Sequence, residues 1–182
     1  MKTYKLCLVL LALFVIGTLA GCSKRTTQSP AVEDNIRTAL DQASLKDVSV
    51  SQDRDKGVVT LGGHVATDAD KSQAESIATS LAAGQVVANQ IAVIPPGGEN
   101  AAKAVNSDLD KGIESNLHAA LIQNKLEKSV KFEVKNGVVT LSGLVNSQSK
   151  RDQAGEIATA VPNVQQVVNT LQIKNQKATS SN

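Results

Sequence analysis

The chain has 182 residues, of which 19 are Lys or Arg and 17 are Asp or Glu, so its formal charge is +2. Removing the leader argued below takes away Lys2 and Lys5 and leaves an even balance, which excludes the basic footprint of a nucleic-acid binder. Phe132 is then the only aromatic side chain left, too few for a base-stacking platform or an aromatic membrane belt.

Lys2 and Lys5 open the chain with positive charge, and Leu6 to Ile16 is an apolar run. A bilayer-spanning helix needs about 20 apolar residues, so this run is too short to span and reads as a signal peptide, residues 1–21. The junction Leu19-Ala20-Gly21-Cys22 resembles the lipobox of bacterial lipoproteins. That likeness implies cleavage before Cys22, a diacylglycerol on its sulfur and an acyl chain (palmitate or similar) on its new amine. Two or more chains make attachment stable where one is marginal. Cys7 lies in the leader, so lipidation of Cys22 leaves no thiol for disulfide or metal chemistry. Ser23, rather than Asp, follows the lipidated position; by the sorting rule of some Gram-negative bacteria this favours the periplasmic face of the outer membrane. The polar run from Ser23 to Pro30 reads as a flexible tether, giving a lipidated tether over 22–30.

Self-comparison at an offset of eighty residues aligns Gly57–Val65 (GVVTLGGHV) with Gly137–Val145 (GVVTLSGLV), and fifteen of thirty-seven positions from Gly57 to Val93 are identical. The chain is therefore a duplication: copy one over 31–94, a linker over 95–107, copy two over 108–174 and a disordered tail over 175–182. Each copy predicts the same elements. Val32, Ile36, Ala39, Leu40 and Ala43 fall at helical spacing, as do Ile113, Leu117, Ala120 and Leu121. A strand follows on Val48 and Val50, or on Val130, Phe132 and Val134. Asn136-Gly137 then suits a tight hairpin that needs positive φ twice, and Asp53 to Gly57 is a looser version of the same reversal.

The next strand turns Val59, Leu61, Gly63 and Val65 inward, matching Val139, Leu141, Gly143 and Val145, with Thr60 and Thr140 on an outer face expected to tolerate charge. A second helix starts near Thr67-Asp68 or Ser147, with Ala74, Ile77, Ala78 and Leu81, or Ala154, Ile157, Ala158 and Val161, as its buried stripe. Gly63 and Gly143 are expected to clear space for that helix. A single last strand, Val86 to Val93 or Val167 to Ile173, closes each unit. The fold class is α+β: two tandem αββαβ domains, each a three-stranded sheet with two helices on one face. A unit of this size buries a marginal core alone, so the copies are expected to pack on each other.

The strand GVVTLGGHV with Val87-Ala88-Asn89-Gln90-Ile91-Ala92-Val93, and Gly137–Val145 with Val167–Ile173, resemble the BON domain twice over. Gly57, Gly63, Gly137 and Gly143 carry the resemblance and imply structural roles, not catalytic ones. The resemblance implies a dual-domain, non-enzymatic envelope lipoprotein that binds phospholipid, particularly anionic phospholipid, and supports envelope integrity under stress. It assigns no catalytic residue and no cofactor.

The residues alone supply no reaction centre either. His64 and His118 lack a matching His or Cys in ligand spacing, and the pairs Asp53/Asp55 and Asp68/Asp70 lack the further oxygens of a calcium loop. The one functional signal is charge: residues 31–94 hold five Lys/Arg against nine Asp/Glu, whereas 108–174 hold eight against seven. Lys125, Lys128 and Lys131, with Lys135 nearby, are the candidate lipid-contact residues, set against the plainer reading of a solvated face. A protein adaptor docking an envelope enzyme or assembly machine is the alternative function, with an envelope protein as its partner.

Overall fold

The structure, a computed structural model, describes residues 28–174; the leader, Cys22, most of the tether and the tail over 175–182 lie outside them. Copy one runs α1 (Glu33–Gln42), β1 (Val48–Asp53), β2 (Val58–Val65), α2 (Asp68–Leu81), β3 (Val86–Asn89) and β4 (Ala92–Val93). Copy two repeats this as α3 (Glu99–Gln123), β5 (Val130–Lys135), β6 (Val138–Val145), α4 (Gln148–Thr159), β7 (Gln166–Asn169) and β8 (Gln172–Ile173). The class is α+β, as the periodicities predict. β1 is antiparallel to β2, and β3 and β4 both run parallel to β2. Copy two has the same topology.

The last strand is two short strands, not one, and Asn89 explains the break. Its Oδ1 accepts the Ile91 N–H at 3.3 Å while its Nδ2 donates to Lys71 O at 3.3 Å and Glu75 Oε2 at 2.9 Å. Asn169 does the same, accepting the Leu171 N–H at 3.2 Å and donating to Arg151 O at 2.9 Å. An asparagine that closes a local turn competes with the ladder. Here it tips Ile91 and Leu171 into the cores and ties the strand to its helix.

The inner faces carry Val59, Leu61 and Val65 against Ile36, Leu40, Ala74 and Ala78, and Val139, Leu141 and Val145 against Leu117, Leu121, Ala154 and Ala158. The helix stripe needs one correction. Leu81 is 37% exposed and Ala82, one residue on, is buried, whereas Val161 is buried as expected. Thr67 Oγ1 and Ser147 Oγ accept the N–H groups of Asp70 and Lys150 at 3.1 and 3.3 Å, so both second helices are capped where predicted. Asn136 and Gly137 have φ of 48° and 76°, the pair of positive values a two-residue hairpin turn requires.

Gly63 and Gly143 hold a different role from the one expected. At φ of 85° and 124°, a Cβ on either would run into the carbonyl oxygen of Asp47 or Ser129, at the entrance to β1 or β5. Close approach of the neighbouring strand demands these glycines, not passage of a helix.

The outer faces also differ from expectation, because they pack on one another. Val58 and Ala88 meet Val138 and Val168 in a separate buried cluster, and Thr60 and Thr140 are only half exposed. The copies thus share a seam, as their small size predicts.

Two boundaries move. The polar residues expected as linker after Gly98 are helical, since α3 begins at Glu99 and only Pro95–Gly98 forms a turn. The expected tether is also shorter, because residues 28–30 are pinned to copy one. Ser29 N–H donates to Arg54 O at 3.0 Å, Arg54 Nε donates back to Ser29 O at 2.8 Å, and Pro30 O accepts from the side-chain amides of Gln52 and Gln85.

Candidate membrane-contact surface

The three candidate lysines fall on one corner, where α3 ends and β5 begins. The corner is rigid because Leu126, fully buried, accepts the Ser129 and Val130 N–H groups at 3.0 and 2.9 Å while its own N–H donates to Leu121 O at 2.9 Å. Lys125 takes the left-handed conformation just past the helix, with φ of 56°. A lysine one residue past the C-cap is a favourable residue for the partly negative end of the helix. Lys128 follows in the turn and Lys131 projects from the outer face of β5; all three are exposed. Among the described residues no carboxylate forms an ion pair with any of them, nor with Lys135. Four Lys against Glu127 and Glu133 leave residues 125–135 two positive charges in excess, four minus two. Exposed Ile122 and Leu144 flank the corner, at 49% and 47%.

Copy one builds nothing similar at the matching corner. Ser44 occupies the left-handed position, with φ of 64°, and Lys46 is followed by Asp47.

The other candidates have local occupations. Asp53 Oδ2 pairs with Lys56 Nζ at 2.7 Å while its Oδ1 accepts the Lys56 N–H, and these bonds hold its carboxyl below the usual range. Asp70 accepts from Thr67 Oγ1 at 2.8 Å in the helix cap, and Asp55 accepts from Gln28 Nε2 at 3.0 Å. His64 and His118 are exposed, and among the described residues no three His, Cys, Asp or Glu side chains gather in a metal-binding group. No helix of the described residues is long and apolar enough to cross a membrane.

The residues missed at the sequence level are those of the seam. Gln166 Oε1 accepts the Asn89 N–H at 3.0 Å and Gln166 Nε2 donates to Val87 O at 2.7 Å, so one side-chain amide occupies the free edge of β3. Asn136 Nδ2 donates to Gln90 O at 2.7 Å, and the two carboxylate oxygens of Asp110 accept the Asn136 and Gly137 N–H groups at 2.8 and 2.9 Å. Lys71 Nζ donates to Gln165 Oε1 at 3.2 Å; burial pulls its ammonium below the ordinary lysine range, against the opposing charges of Asp68 and Glu75. The one sequence signal for this seam is Gln166 itself, a polar residue where copy one has Val86.

The BON domain profile matches residues 29–95 and again 109–175. Osmotically-inducible protein Y of Escherichia coli (strain K12) is 33% identical over 147 residues, covering 79% of this chain and 72% of that protein. Among solved structures, CdsD, a structural protein of the type III secretion system of Chlamydia trachomatis, aligns at 15% identity and a TM-score of 0.32. That alignment covers 79% of this chain and 62% of CdsD. A structure of the CdsD C-terminal domain aligns at 15% identity and a TM-score of 0.30, over 78% and 64% of the two chains. This chain therefore spans less than two thirds of either solved chain. Two profile matches with the duplicated αββαβ topology settle the family: this chain belongs to the BON domain family and carries two BON domains in tandem.

Proposed function

We propose that this protein is a non-enzymatic lipoprotein of the cell envelope that binds phospholipid membrane and helps maintain envelope integrity under stress. The lysine corner of copy two is the observation that carries the lipid reading: Lys125, Lys128 and Lys131 are exposed, carry no ion pair among the described residues, and sit on a corner whose backbone is fixed by Leu126. The lipobox at Leu19–Cys22 supports a lipid anchor, and Ser23 the periplasmic face of the outer membrane. The likeness to a protein named for osmotic induction supports the stress role.

Physical scale sets the mechanism. Each lysine near an anionic surface contributes about 1 kcal/mol, so three contribute roughly 3 kcal/mol at best. That is weak for a free protein. A lipid anchor on Cys22 makes it sufficient, because an anchored domain meets the surface at high effective concentration. Phe132 is half-buried against the core of copy two, which leaves electrostatics as the dominant attraction.

Co-sedimentation of the unlipidated chain, residues 23–182, with phosphatidylglycerol-containing vesicles is the test. Binding should fall about tenfold or more in the triple Lys125→Gln, Lys128→Gln, Lys131→Gln variant, and salt above about 0.1 M should screen much of the wild-type binding. Equal binding by variant and wild type would reject the corner as the contact surface.

A further inference from the structure

Each three-row sheet has two outer edges, and copy one has both of its edges blocked. Arg37 Nη2 donates to Val50 O at 3.1 Å on the free edge of β1, and the Gln166 amide covers the free edge of β3. The position matching Arg37 in copy two is His118, by the same spacing that matches Leu40 with Leu121 and Leu45 with Leu126. His118 is exposed and makes no side-chain hydrogen bond among the described residues. The edge of β5 is therefore open.

Register identifies which groups face outward along it. Val50 offers its carbonyl to Arg37 and is the register partner of Leu61; the corresponding pair is Phe132 and Leu141. Antiparallel ladders alternate, so the main-chain groups of Phe132 and Val134, with the carbonyl of Val130, point away from β6. An open edge of this kind is a template for another strand.

We propose that β5 pairs with β5 of a second copy of this chain, antiparallel about a twofold axis at Phe132, joining two sheets into one. The strand is self-complementary in that register. Val130 lies opposite Val134 of the second copy, Phe132 opposite Phe132, and Lys131 opposite Glu133, with the reciprocal pairs generated by the symmetry. Apolar residues then meet on the inner face, while opposite charges meet on the exposed outer face, so that Lys131 is paired in the dimer and Lys125 and Lys128 are left to face lipid. Sliding by two residues in either direction sets Lys131 against Lys131 or Glu133 against Glu133, so charge selects one register. β1 of copy one, with Ser49 and Ser51 at its outer positions, has no such code and is blocked by Arg37. The far end of β5 borders a cleft of about 560 Å³ between α3, at Asp110, Lys111 and Glu114, and copy one, at His64 and Ile94, with Val134 on its wall.

Disulfide trapping in whole cells tests the register. Positions 131 and 133 lie in directly opposed, non-hydrogen-bonded pairs of the proposed ladder, with Cα atoms about 4.5 Å apart, within disulfide reach. Two copies of position 131 are two residues out of register and roughly 8 Å apart, beyond reach. Full-length chains carrying Lys131→Cys and Glu133→Cys, co-expressed with different tags and oxidised with copper–phenanthroline, should give a mixed disulfide dimer. Either variant alone should match the background of the unsubstituted chain. No mixed dimer, or equal dimer in all three cases, overturns the proposal.

Charge exchange supplies the second arm, since both side chains are exposed and neither supports the core. By sedimentation equilibrium of the full chain in detergent, Lys131→Glu and Glu133→Lys should each weaken dimerisation about tenfold, and the double exchange should restore it. A monomeric wild type, or a double variant no better than the singles, also rejects the pairing.

Discussion

At the scale of single residues, this fold depends on positions that bring backbones unusually close. Gly63 and Gly143 combine positive φ with a neighbouring carbonyl exactly where a side chain would go, whereas Gly84 has a similar φ of 82° and open space around it. Gly63→Ala and Gly143→Ala should therefore cost about 2–4 kcal/mol, and Gly84→Ala only about 1 kcal/mol. Urea unfolding of the three variants checks this, and equal losses would show that φ alone governs the positions. Lys71 carries a separate, pH-dependent signature. Burial lowers its folded pKa below the ordinary value of 10.5, so the unfolded chain holds the proton more tightly. Stability from this group should rise as pH climbs from the folded pKa towards 10.5, and Lys71→Gln should lose that rise. Urea midpoints collected from neutral to alkaline pH report the difference.

At the scale of elements, the duplication provides internal controls, because matching substitutions should have matching effects. Thr67→Ala and Ser147→Ala each remove an acceptor for an orphan N–H and should each cost about 1 kcal/mol. Asn89→Ala and Asn169→Ala should cost more, about 1–3 kcal/mol, since each strands the N–H that follows two residues later and frees the strand from its helix. Thermal melts of the four variants rank them, and a cap variant as damaging as an asparagine variant would contradict the ranking. The copies diverge where their surroundings differ. Leu81 stays exposed because Ala82 fills the end of the helix stripe in copy one, whereas Val161 is buried in copy two.

At the scale of the whole molecule, the two BON domains are joined by a seam as well as by the chain. Val58, Ala88, Val138 and Val168 supply its apolar part, and Gln166 and Asn136 its hydrogen bonds across copies. Gln166→Val installs the residue that copy one has at the matching position and removes both bonds to the β3 edge. It should cost about 1–3 kcal/mol and, together with Val138→Asp, should separate a single unfolding transition into two. Calorimetry distinguishes the outcomes; one sharp transition in the double variant would mean that the seam does not couple the domains. Thr60 and Thr140 share the outer face with Val58 and Val138 and are only partly exposed, so a charge introduced there is partly desolvated and should cost more than on an open surface.

The αββαβ order, the duplication, the Asn136-Gly137 turn and the inward phase of Val59–Leu61 and Val139–Leu141 were all legible in the chain. Each rests on local periodicity or local backbone preference, which neighbouring residues carry with them. The lysine cluster was legible for the same reason, since Lys125, Lys128 and Lys131 are close in sequence and stay close in space. Three-dimensional packing alone decided the rest. The strand break at Asn89 and Asn169 needs a helix carbonyl brought alongside, at Lys71 and Arg151, and the glycine requirement at Gly63 needs the Asp47 carbonyl from another strand. The seam needs Gln166 to reach an edge whose partners, Val87 and Asn89, lie far away in sequence. These are contacts between segments that come together only when the chain folds, so no local pattern could announce them.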